Sequence, residues 1–73
     1  MDEGRPGEGL QDLVPRLFAI LTAKLEDAAA IAVEGQSSDK LAEACRECAG
    51  QLIVLLQECS AVAEAIEGLC SSA

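Results

Sequence analysis

The stretch LAEACRECAGQLIVLLQECSAVAEAIEGL, Leu41–Leu69, decides how this chain folds. Leu41, Cys45, Cys48, Leu52, Leu55, Cys59, Val62, Ile66 and Leu69 recur at alternating steps of four and three. That is the a/d pattern of a helix with one apolar seam. Lys40, Glu43, Arg46, Glu47, Glu64 and Glu67 take outer positions, and Glu58 flanks the seam. Gly50 is the weak point inside, costing about 1 kcal/mol relative to Ala. The seam keeps its phase across Gly50, so the pattern predicts a continuous helix over about residues 39–70. A break at Gly50 would instead give a three-helix monomer.

Upstream, Leu13 to Val33 also follows a helical period. At about 100° per residue, Leu13, Val14, Leu17, Phe18, Ile20, Leu21, Leu25, Ala28, Ile31 and Ala32 fill an arc of about 160°. Arg16, Glu26, Asp27 and Glu34 lie outside it, while Lys24 falls inside and extends its ammonium past the edge. An arc this wide suits a helix that touches two neighbours. The first helix is expected over about 12–34, capped by Asp12 or starting at Pro15. Residues 1–9, MDEGRPGEG, carry no periodicity and are expected to form a flexible acidic, glycine-rich tail.

Between the helices, residues 35–38 form the turn. Gly35 is expected in a left-handed position, with Ser37, Ser38 and Asp39 as caps for the second helix. So short a connection folds the rods back antiparallel, placing a hairpin in residues 10–73. Two helices meeting along one seam cannot cover all the large aliphatic side chains present. The expected fold class is therefore all-α: an antiparallel two-helix hairpin that dimerises into a four-helix bundle. Its interface would draw on Leu17, Leu21, Leu25, Leu41, Cys48, Leu52, Leu55, Cys59, Val62, Ile66 and Leu69. Ile53 and Val54 occupy outer positions, where bundle geometry or overhanging helix ends would cover them; the alternative is an exposed patch for a different protein.

The spacing C-x2-C-x10-C-x10-C puts Cys45, Cys48, Cys59 and Cys70 on one side of the second helix. Zinc needs four ligands around one centre, yet Cys48 and Cys59 stand roughly 16 Å apart on a straight helix. One chain cannot close such a site. Cys45 and Cys48 could share an ion with thiolates from another chain, and Cu(I) accepts fewer ligands. As a redox pair, Cys45 and Cys48 begin beyond the first helical turn, with Glu43 and Glu47 disfavouring thiolate. The plainer reading is that these cysteines pack as small apolar residues where helices approach.

Other chemistry finds little support. There is no histidine, so the usual base beside a nucleophile is missing. Glu64 and Glu67 lie on a polar face, and GRPGEG lacks the strand and lysine of a phosphate loop. No catalytic residue and no cofactor is therefore assigned. A net charge of −8 repels nucleic acid and anionic membrane surfaces but suits a basic protein partner. The first residues lack a secretory signal, and LIVLL is far too short to span a bilayer. The sequence thus points to a small acidic cytoplasmic interaction module with a regulatory or adaptor role, working as a homodimer. Thiol-based Cu or Zn binding, and an assembly chaperone or structural oligomerisation element, are the alternatives.

Overall fold

In a computed structural model the chain is two long helices packed antiparallel. The structure describes residues 6–37, 39 and 41–72, with the side chains of 12–37, 39 and 41–71. Helix α1 runs Pro6–Gly35 and helix α2 runs Ala42–Ser72; no strand occurs among the described residues. The hairpin is a rod of 57 × 20 × 12 Å.

Several boundaries differ from those read off the sequence. Helix α1 begins at Pro6, earlier than either Asp12 or Pro15. Proline suits a first helical position, because its φ is already helical and its missing N–H has no duty there. The expected tail therefore loses Pro6–Gly9 to the helix, and Met1–Arg5 lie outside the described residues. Pro15 becomes an interior residue and withholds the amide that would bond the Gln11 carbonyl.

Gly35 is the last residue of α1, and no described glycine has a positive φ, so the left-handed cap is absent. The helix closes instead with tighter bonds: Gln36 N donates to the Val33 carbonyl at 3.0 Å, and Ser37 N to the Glu34 carbonyl at 3.3 Å. At the other side of the turn, Cys45 N donates to the Leu41 carbonyl at 3.0 Å. Leu41 is thus the N-cap, and α2 starts at Ala42 rather than near Asp39. Asp39 N donates to Ser37 Oγ at 3.4 Å within the turn, where neither side chain reaches the helix end. Ser38 and Lys40, the other expected cap and an expected outer charge, lie outside the described residues. Gly50 does not interrupt α2.

Candidate functional site

The pattern of exposure follows from where the helices meet. On α2 every seam residue from Cys45 to Leu69 is buried or half-buried, with Cys59 and Ile66 the most enclosed. Leu41 departs from the seam: it is 76% exposed, because the chain has already turned away there. On α1 the half-buried or buried set is Val14, Leu17, Leu21, Lys24, Ala28, Ile31 and Gly35. Those positions also alternate by three and four, so α1 carries a strict seam of its own. The sequence reading placed Ala28 and Lys24 within a wider arc but did not resolve this narrower seam, which ends on Gly35. Leu25 lies beside this seam and is exposed in the single hairpin.

Two contacts set the register. A Cβ built on Gly35 would lie 3.9 Å from the Cys48 Cβ, so the backbones draw close at the turn. Further along, Lys24 Nζ donates to Glu58 Oε1 at 2.8 Å. That hydrogen bond, opposed by partial desolvation, raises the Lys24 amine above its ordinary value near 10.5.

In an antiparallel pair, the positions flanking the seam on the same side of both helices come together. One flank is mixed: Asp27 and Glu34 from α1 stand with Gln51 and Glu58 from α2, Lys24 leans to this side, and the exposed Leu13, Ile20 and Val54 lie among them. It also contains an open groove of about 430 Å³ lined by Ile31, Gly50, Gln51, Val54 and Leu55. The other flank carries no charge at its centre. Phe18, Leu25 and Ala32 of α1 lie beside Ala63, Leu56 and Ala49 of α2, with Ile53 just outside; all are exposed. Thr22 adds to the apolar character by turning its hydroxyl back to the Phe18 carbonyl at 3.0 Å.

Ile53 and Val54 are both exposed and adjacent on the outer side of α2. Adjacent residues on a helix point about 100° apart, so Ile53 belongs to the uncharged flank and Val54 to the mixed one. Phe18 and Leu56 were not singled out by sequence as surface residues. The available signal was the seven-residue spacing of Ala49, Leu56, Ala63 and Cys70, none of them charged.

The cysteines are free thiols in graded environments: Cys59 buried, Cys45 and Cys48 half-buried on the seam near the turn, Cys70 exposed. Among the described residues no three His, Cys, Asp or Glu side chains converge as metal ligands. Nor is any described helix long and apolar enough to cross a membrane. No protein-family model, curated protein or solved structure matches the chain.

Proposed function

We propose that this chain is a small acidic cytoplasmic interaction module, regulatory or adaptor in role, that works as a homodimeric four-helix bundle. One observation carries the reading. Among the described residues only Ala28, Cys59 and Ile66 are buried, while Leu13, Phe18, Ile20, Leu25, Val33, Leu41, Ile53, Val54 and Leu56 are exposed. Of these, Phe18, Leu25, Ile53 and Leu56 share the uncharged flank, and a soluble monomer rarely leaves an apolar patch of that kind open.

The dimensions argue in the same direction. The accessible surface is 5420 Å², against about 4,250 Å² for a compact monomer of this mass. The radius of gyration is 17.1 Å, where about 11 Å would suit a globular chain of this length. Stacking two such rods face to face hides the surplus and gives the thickness of a four-helix bundle. A net charge of −8 keeps the assembled bundle soluble and favours a basic protein as its further partner.

Sedimentation equilibrium under reducing conditions tests the reading. A dimer with dichroism typical of helix is the expected result. A helical species that stays monomeric up to millimolar concentration overturns it.

A further inference from the structure

We infer that the uncharged flank is the dimer face, and that two copies stack on it with their turns at opposite ends, related by a two-fold axis passing through the Leu25–Leu56 layer. This rests on the homodimeric reading and adds its geometry. The occupant is a second copy of this chain because the flank is complementary to itself.

Along α1 the flank reads Phe18, Leu25, Ala32, at seven-residue intervals. Reversed about Leu25, the large Phe18 falls over the small Ala32 of the partner subunit, and Leu25 meets its own copy. Along α2 the flank reads Ala49, Leu56, Ala63. Reversed about Leu56, the alanines face one another and let the backbones approach closely. Large side chains therefore meet small ones or share the central layer, as interdigitated packing requires.

Charge gives a second, independent match. The next row out on α2 reads Arg46, Ile53, Ser60, Glu67, so the apolar centre is bounded by one cation and one anion. Arg46 and Glu67 are exposed, and neither has an ion-pair partner among the described residues. They stand about 31 Å apart on the helix at about 1.5 Å per residue. The same reversal that aligns the apolar rows brings Arg46 opposite Glu67 of the partner subunit, once at each end. With the turns at the same end, Arg46 would lie over the partner's turn, and Ala32 would face Ala49 of the partner subunit across a gap. The opposite flank is a poorer alternative, since stacking there would take the exposed Asp27 carboxylate and the Lys24–Glu58 ion pair out of water.

The chain exposes about 1,200 Å² more than a compact monomer of its mass would, the same order as the roughly 800 Å² per partner that a standard interface covers.

The test measures dimer dissociation by sedimentation equilibrium and native mass spectrometry on the full chain, with dichroism confirming that helix is retained. Arg46→Glu and Glu67→Arg should each weaken the dimer on the order of tenfold by opposing like charges. Mixed in equal amounts, they should recover wild-type affinity as a heterodimer, because both ends then pair opposite charges. Leu56→Glu should leave a helical monomer, and Val54→Glu on the mixed flank should leave the dimer intact. A dimer broken by Val54→Glu and not by Leu56→Glu overturns the choice of face while leaving the dimeric reading standing. A mixture no tighter than its components overturns the opposed arrangement. A wild-type chain that never dimerises removes both readings together.

Discussion

Lys24 occupies a seam position of α1, and its ammonium crosses the hairpin to donate to Glu58 Oε1 at 2.8 Å. The pair replaces an apolar contact at a seam position, so it fixes register more than it adds stability. Its pH dependence has a definite sign. The amine is held above its ordinary value near 10.5, so its contribution is complete below that pH and is lost as pH rises through the raised value. In urea denaturation between about pH 9 and pH 11.5, the wild-type midpoint should fall more than that of Lys24→Met. Parallel profiles for the two proteins would show that the pair does not titrate with folding.

Gly35 yields a prediction whose sign separates two local structures. Here it is helical, with ordinary contact distance to Cys48 for an added methyl group. Gly35→Ala should therefore stabilise the fold by about 0.5–1 kcal/mol, raising the melting temperature by a few degrees. In a left-handed cap the same change would destabilise it. A thermal melt decides between them.

The helix pair was legible in the sequence because α2 states its seam in large residues and cysteines at unbroken spacing. The narrow seam of α1 was hidden: Lys24 enters it through a hydrogen bond across the hairpin, and Gly35 through close approach of the helices. Neither feature exists until the partner helix is in place. The uncharged flank was partly legible, in what the seven-residue rows lack. Ile53 and Val54 were legible as outer residues, and their divergence of about 100° around the helix turns them toward different flanks. The ends were read least well, since Pro6 and Pro15 both carry start signals and Leu41 caps α2 without a capping side chain.

That last point is testable. Leu41 is the N-cap of α2, a role its side chain cannot fill, and it is largely exposed. Leu41→Ser should give an acceptor to the free amides of the first turn and stabilise the chain by about 1 kcal/mol. Chemical denaturation at fixed protein concentration checks this. A loss of stability would mean that Leu41 is covered by a second copy.

The cysteines should separate by burial. Cys59 sits within the seam and its thiol behaves as a small apolar group. Cys59→Ala should cost about 1 kcal/mol, and Cys59→Ser about 1–2 kcal/mol more, because a hydroxyl loses its hydration there. Cys70→Ser, at an exposed position, should stay within about 0.5 kcal/mol. Equal losses for Ala and Ser at Cys59, read from denaturation midpoints, would contradict a packing role.

Pro15 tests how far α1 extends. With the helix beginning at Pro6, Pro15 lies in its interior and removes one backbone hydrogen bond. Pro15→Ala restores an amide for the Gln11 carbonyl and relieves the ring's clash with the preceding turn. Stability should rise by about 1–3 kcal/mol, and the newly introduced amide should be protected from hydrogen exchange. Were the helix to begin at Pro15 itself, the same substitution would lose a favourable first-position proline and lower stability slightly. Exchange rates around this position therefore report directly whether the rod is continuous from Pro6 into the seam that begins at Val14.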